Sequence, residues 1–167
     1  MHIQFVLRNM VDDDRPYIAT SMLQSIKRSY PFDMVPQAIY YYPQKKIIQQ
    51  LLDKCTTLVA CFPEDPSEII GYIIYQFFDQ IPIIHYLYVR TIHWNKKIAN
   101  TILKQVLRDN MNTVIVTSIS DFFPQLKHRF PPYKFVYDPF FIQTQLLDKW
   151  PRYRIFSNKG SILLREK

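Results

Sequence analysis

A group of polar and aromatic side chains in the middle of the chain could support chemistry on an anionic ligand. His85 lies in an apolar run, and His93, Trp94, Lys96 and Lys97 lie in the turn that follows. An imidazole changes charge near neutral pH, so His85 is a candidate general base. A turn from a strand into a helix aims free backbone N–H groups at one point, which suits a phosphate or diphosphate.

Each of these side chains also has a structural interpretation. His85 would then be a strand histidine with satisfied hydrogen bonds, a commoner role than catalysis. His93 would be a solvent-exposed turn residue rather than a phosphate contact. Trp94 would either cover a bound adenine or seat the turn on the core, and the second arrangement is commoner.

A strand, a turn and a helix must position these residues. Residues 83–89 are β-branched and aromatic, which favours a central strand. A helix is predicted from about Asn95, because aliphatic residues recur there at helical spacing. These residues are Ile98, Ala99, Ile102, Leu103, Val106 and Leu107.

The remaining elements are predicted from similar patterns. Strands are expected at 3–7, 56–62, 69–77, 113–119 and 134–137, and helices at 14–30, 43–54, 121–130 and 141–149, with a last hairpin at 152–164. Asp12, Asp13 and Asp14 are predicted to start the first helix rather than to bind a metal. Tyr40, Tyr41 and Tyr42 would line a cleft, lie on the surface, or pack under the second helix.

Composition limits the classes of function. A chain of 167 residues predicts one domain, 1–167. Its net charge of +7 suits an anionic ligand, nucleic acid or an acidic partner, or is simply the charge of a soluble basic protein. Cys55 and Cys61 are too few for a disulfide framework, and no metal site is predicted. With no leader or membrane span in the pattern, we expect a cytoplasmic protein. Gly71 and Gly160 are the only glycines, so turns must use other residues.

The central stretch resembles the acyl-CoA site of the GNAT acyltransferase superfamily. The family pattern is an apolar strand ending in Val, a short turn, Arg/Gln-x-x-Gly-x-Gly/Ala, and a helix with paired aliphatic residues. Val89, Trp94 and Ala99 keep that spacing, but Trp94 replaces the usual Arg or Gln and Lys97 replaces a Gly. The strand that begins near Gly71 is similar to the glycine-bearing strand that precedes the central one in the family.

The resemblance implies a fold, a co-substrate and a set of site residues. The fold would be α/β (α+β), with a mixed, mostly antiparallel central sheet flanked by helices and with splayed central strands. Acetyl-CoA would be the co-substrate, and an acceptor amine would attack it directly with His85 as base and Tyr133 or Tyr137 as acid. The implied cofactor-binding residues are Leu87, Tyr88, Val89, Trp94, Asn95, Lys96, Lys97, Ile98 and Ala99.

Two functions therefore remain open. The first is an acyl-CoA-dependent N-acetyltransferase. The second is a GNAT-shaped protein without ordinary acetyl transfer, which binds or modifies nucleic acid or binds a protein partner through its basic, aromatic surface. Glycine-poor, aromatic-rich chains of this size that resemble GNAT proteins also occur in bacteriophages, which would place either function in a host cytoplasm.

Overall fold

A computed structural model describes residues 4–29, 32–107, 112–118 and 128–141. In chain order the strands and helices are β1 (Val6–Asn9), α1 (Arg15–Lys27), α2 (Gln37–Lys54), β2 (Thr56–Cys61), β3 (Ile69–Phe78), β4 (Ile81–Val89), α3 (Ile98–Val106), β5 (Thr113–Val116) and β6 (Lys134–Tyr137). Short 3-10 turns cover Asp12–Asp14, Phe32–Met34 and Thr91–His93. Among these residues no helix is both long and apolar enough to cross a membrane.

The six strands form one mixed sheet in the order of the chain. Each of the first three neighbouring pairs, from β1 to β4, is antiparallel. β4 then pairs with β5, and β5 with β6, in parallel. This confirms the predicted mixed, mostly antiparallel sheet, and it places β4 between an antiparallel and a parallel neighbour.

The face of the sheet that carries α3 is aliphatic. Ile98, Ile102 and Leu103 of α3 are almost completely buried, as the helical periodicity predicted. They pack on a cluster that includes Ile70, Ile73, Ile84, Val114 and Phe135. Burying each such side chain contributes about 1.5–3 kcal/mol, so this layer fixes the start of α3 against β4.

The opposite face carries α1 and α2 and is rich in tyrosine. Tyr72 is fully buried, and its hydroxyl lies 3.0 Å from the Oγ of Ser21 and donates to the carbonyl of Ile18 at 3.3 Å. Its ring stacks on those of Tyr86 and Tyr88, with centroids 6.3 and 5.1 Å apart. Because the phenol has partners, a large polar side chain is tolerated in this layer.

Helix α2 begins at Gln37, well before the predicted start at Pro43. Pro43 lies inside the helix on an exposed side, although it lacks the N–H group that an interior position normally uses. Buried Tyr40 holds the first turns in place, because its hydroxyl donates to the carbonyl of Leu23 at 2.9 Å. Tyr41 and Tyr42 are exposed.

The acidic triplet forms the 3-10 turn that starts the α1 region, as predicted, and Asp14 is the N-cap residue of α1. Asp14 shows no side-chain cap bond to α1. Its carboxylate instead accepts two bonds from Arg8, at 2.6 and 2.9 Å, and one from the amide of Val11 at 2.8 Å. No group of three or more metal-ligating side chains occurs in the described part of the chain.

Other predicted boundaries shift or cannot be compared. β1 begins at Val6 and α1 ends at Lys27, so both differ from their predicted limits by a few residues. β5 ends at Val116, while residue 119 lies outside the described residues. The helices expected at 121–130 and 141–149 lie largely outside them, and the hairpin at 152–164 entirely so.

Candidate functional site

The edge of β4 that faces β5 is covered for only part of its length. The parallel ladder joins Ile83 to Ile115 and Ile84 to Val116, and the amide of Thr117 adds a bond of 3.0 Å to the carbonyl of Ile84. β5 ends at Val116, whereas β4 continues to Val89. In the described residues, the second half of β4 therefore has an open edge.

A β-bulge marks the point where this edge opens. Ile74 pairs with Tyr86 and Tyr75 pairs with Ile84, so His85 is an extra residue in β4 without a counterpart in β3. A bulge bends its strand and increases the local twist. The register shift therefore turns the end of β4 at the same level where β5 stops.

His85 is buried at the bulge and bonded across to β5. It is 2% exposed, and its Nδ1 lies 3.0 Å from the Oγ1 of Thr117. Its Nε2 is buried and has no hydrogen-bond partner among the described residues. Burial lowers the pKa of His85 to about 4, in contrast to the near-neutral pKa expected from the sequence.

The alternation of the strand decides which backbone groups lie on the open edge. The amide of Arg90 donates to the carbonyl of Ile70 at 2.9 Å, so Arg90 faces β3. Adjacent residues of a strand turn their amides to opposite sides. Leu87 and Val89 each lie an odd number of residues before Arg90, so their amides face the opening. Their N–H groups are free there, as is the carbonyl of Leu87, within the structure described.

The turn after β4 presents a second set of backbone donors. Asn95 and Lys97 have left-handed backbones with φ of 63° and 62°, and α3 starts at Ile98 without a side-chain cap. Thr101 makes the first amide bond of this helix, to the carbonyl of Lys97 at 3.0 Å. For the amides from Asn95 to Asn100, the described residues supply no acceptor. Such a run of free N–H groups at a helix start binds anions.

Comparison with known proteins gives a fold but no close relative. No family model and no curated protein matches the chain. A structure of a possible acetyltransferase from Clostridium difficile 630 matches with a TM-score of 0.57 and 15% identity, over 81% of this chain and 95% of that one. An acetyltransferase of the GNAT family from Staphylococcus aureus Mu50 matches with a TM-score of 0.52 and 15% identity, over 77% of this chain and 81% of that one. The chain has the GNAT fold.

The backbone conformation of Lys97 gives a physical reason for the glycine that the resembled family pattern has at this position. Its left-handed backbone is one that an L residue adopts at a cost of about 1–2 kcal/mol, whereas glycine adopts it freely. The side chain of Lys97 is exposed, and its ammonium group has no acceptor with which to occupy the neighbouring amides. Lys97 therefore keeps the turn of the fold with some strain, and it leaves the amides open.

Replacing Lys97 by glycine should stabilise the folded chain by about 0.5 kcal/mol. The relief of left-handed strain, about 1–2 kcal/mol, exceeds the extra freedom of glycine in the unfolded chain, about 0.5–1 kcal/mol. Lys104→Gly is the matched control: Lys104 is exposed within α3, so the same change should cost about 1 kcal/mol. Urea unfolding measures both, and a similar loss in the two variants would contradict the strain at Lys97.

His93 is not the exposed turn residue that the sequence predicted. It is 7% exposed, because the 3-10 turn directs it against the ring of Phe62, with centroids 5.8 Å apart. Its Nδ1 lies 3.4 Å from the Nζ of Lys96. Burial, followed by the charges of Lys96 and Arg90, lowers the pKa of His93. A neutral His93 thus lies under the turn and beside one of its lysines.

Trp94 does not seat the turn on the core either. Its side chain is 62% exposed, and its indole Nε1 donates to the carbonyl of Val89 at 2.9 Å. The amide of Trp94 is also occupied, since it donates to the carbonyl of Thr91 at 3.1 Å. Among the predicted cofactor-binding residues of the turn, Trp94 therefore has its backbone donor already used.

The two candidate general acids lie at different ends of β6. Tyr133 precedes the strand, where Lys134 donates to the carbonyl of Asn112, and its ring packs near Phe130 and Phe135. Tyr137 pairs with Val116, the residue before Thr117. The register thus places the backbone of Tyr137, and not that of Tyr133, level with Ile84, the residue before His85.

Sequence reasoning missed two polar groups of the site. Thr117, the partner of His85, lies 32 residues away, and nothing in the local pattern marks it. Asn100 lies in the first turn of α3, and its Oδ1 is buried without a partner among the described residues. An asparagine among aliphatic residues at a helix start could have indicated this position.

Proposed function

We propose that the protein is an acetyl-CoA-dependent N-acetyltransferase. The observation that carries the proposal is two sets of free backbone groups, one on the open edge of β4 at Leu87 and Val89 and one in the turn from Asn95 to Asn100. A ligand that fits must combine peptide-like amides with a diphosphate. Acetyl-CoA combines both, and the acetyltransferases that share this fold make it the natural candidate.

In this proposal the two sets of groups bind different parts of the ligand. The N–H groups at the start of α3 hold the diphosphate, helped by the helix dipole and by the charges of Lys96 and Lys97. The open edge of β4 pairs with the amides of the pantetheine arm as an added strand would. The thioester then comes to lie near the bulge at His85.

The chemistry needs no covalent intermediate with the protein. The nitrogen of the acceptor amine attacks the thioester carbonyl carbon, the carbon–sulfur bond breaks, and the amine loses a proton. We assign His85 as the candidate base because its Nε2 has no described partner at the bulge. Tyr137 is the better placed candidate to protonate the leaving thiolate, given its register with Val116.

Reversing the charges of Lys96 and Lys97 should weaken acetyl-CoA binding by at least about tenfold. Two partly exposed charges near a diphosphate contribute about 1 kcal/mol or more in total, and 1.4 kcal/mol is a factor of about ten. Titration calorimetry should give a micromolar Kd for the wild type, and release of free thiol with a panel of amines should report transfer.

The matched control for this experiment is Lys104→Glu, which reverses an exposed charge on the same helix further from the turn. Its affinity for acetyl-CoA should stay within about twofold of the wild type. Loss of binding in the control to the same extent would mean that overall charge, and not the turn, holds the ligand. No heat from the wild type would reject the proposal.

A second candidate function is supported by the surface of α2. An open surface depression of about 310 Å³ there is lined by Tyr42, Lys45, Lys46 and Gln49, and Tyr42 is 80% exposed. An exposed aromatic ring between lysines is the arrangement by which proteins stack and neutralise single-stranded nucleic acid. This function would be favoured if the protein retained oligonucleotides in a salt-sensitive way and did not bind acetyl-CoA.

A further inference from the structure

Trp94 lies directly on the open edge of β4, although the proposed ligand must use that edge. Val89 turns its N–H and its carbonyl towards the opening, because Arg90 faces β3. The carbonyl is bonded to the indole Nε1 of Trp94 at 2.9 Å. The side chain thus occupies the last acceptor of the edge before the turn.

The backbone of Trp94 is held independently of its side chain. The amide of His93 donates to the carbonyl of Arg90 at 2.8 Å, and that of Trp94 to the carbonyl of Thr91 at 3.1 Å. The indole itself is 62% exposed and has only the Val89 bond as a hydrogen-bond anchor in the described structure. Rotation about the side-chain bonds would therefore release the carbonyl without moving the turn.

We propose that Trp94 is a selectivity residue, whose indole N–H stands in for an amide N–H of the ligand and is displaced when the ligand binds. The inference rests on the proposed function, because it assumes that the pantetheine arm lies along β4. A ligand with an amide positioned at Val89 replaces the lost hydrogen bond. A ligand without such an amide either binds beside the indole or displaces it and leaves the carbonyl of Val89 unpaired. Such a ligand is therefore disfavoured.

The test compares Trp94→Phe with the wild type. Phenylalanine keeps an aromatic ring but donates no hydrogen bond, so the carbonyl of Val89 is free in advance. Acetyl-CoA should bind the variant about three- to tenfold more tightly, the range for one neutral hydrogen bond that no longer has to be exchanged. Ile92→Ala changes another exposed side chain of the same turn and should leave the affinity unchanged.

A second readout keeps the inference testable if the variant folds poorly. In a Trp150→Phe background Trp94 is the only tryptophan, since the chain has two. Acetyl-CoA should shift its emission, whereas adenosine 3′,5′-bisphosphate, which has no pantetheine amides, should not. An equal shift with the bisphosphate would show base stacking on the indole and overturn the displacement.

The outcomes separate this inference from the proposed function. Binding of acetyl-CoA with equal affinity by the wild type and Trp94→Phe, and with unchanged emission, overturns the role of Trp94 alone. Absence of binding by both proteins rejects the function and the inference with it. Tighter binding by Trp94→Phe, together with an emission shift specific to acetyl-CoA, supports both.

Discussion

Gly71→Ala should destabilise the protein by about 2 kcal/mol, although it adds a single methyl group. A Cβ at this position would lie 2.8 Å from the carbonyl oxygen of Tyr88, 3.3 Å from a methyl of Val89 and 3.4 Å from a methyl of Ile98. The nearest atom belongs to the backbone of β4, so a side-chain rotation cannot relieve the contact. The backbone angle at Gly71 is ordinary, so the requirement is for space alone.

The same substitution should also weaken acetyl-CoA binding, because Gly71 pairs with Val89 and supports the first residue of α3. Denaturant unfolding measures the stability, and calorimetry measures the binding. Val89→Ala in the Gly71→Ala background is the informative control. It removes the methyl group of Val89 that the new Cβ would contact, but it leaves the carbonyl oxygen of Tyr88 in place. Full recovery of stability in the double variant would contradict the backbone clash.

His85→Gln should remove most of the acid sensitivity of the fold between pH 6.5 and pH 4. The folded pKa of His85 is lowered to about 4 from the ordinary 6.5, so over this interval the unfolded chain takes up the proton first. Stability from this residue is complete above about pH 6.5 and is lost as the pH falls towards 4. Over this pH interval the wild type should thus lose on the order of 3 kcal/mol of folding stability, whereas the variant should not.

Unfolding by urea at several pH values measures this difference. Glutamine does not titrate, and its amide can still bond to Thr117, so the two proteins should be most alike at pH 7 and above. Parallel stability curves down to pH 4 would contradict a neutral, buried His85. If His85 is also the base, the acid limb of kcat should lie near pH 4 to 5, and His85→Gln should lower kcat by about a hundredfold or more.

The sheet and α3 could be predicted because burial imposes a period on the sequence. Ile98, Ile102 and Val106 recur at helical spacing because one side of α3 is buried, and the strand at 83–89 is apolar because both of its faces are covered. The GNAT fold was expected from the resemblance to that superfamily, which rests on the spacing of Val89, Trp94 and Ala99. The start of α2 was wrong because a proline at Pro43 is tolerated on an exposed side.

The details of the site depend on contacts that no local pattern records. The bulge at His85 arises from a register shift against β3, and its partner Thr117 belongs to another strand. The left-handed backbone at position 97 belongs to a lysine, so no glycine in the sequence indicates it. His93 was expected in solvent because it follows a strand, but the 3-10 turn places it against Phe62.

An amide-resolved NMR titration with coenzyme A tests the central claim most directly. Free N–H groups that bind a diphosphate and a pantetheine arm should show the largest shifts, and these should fall on Asn95 to Asn100 and on Leu87 and Val89. The α2 amides near Tyr42 and Lys45 should stay in place. Saturable shifts confined to the turn and the open edge are the predicted result, and binding that leaves those amides unmoved would contradict the account.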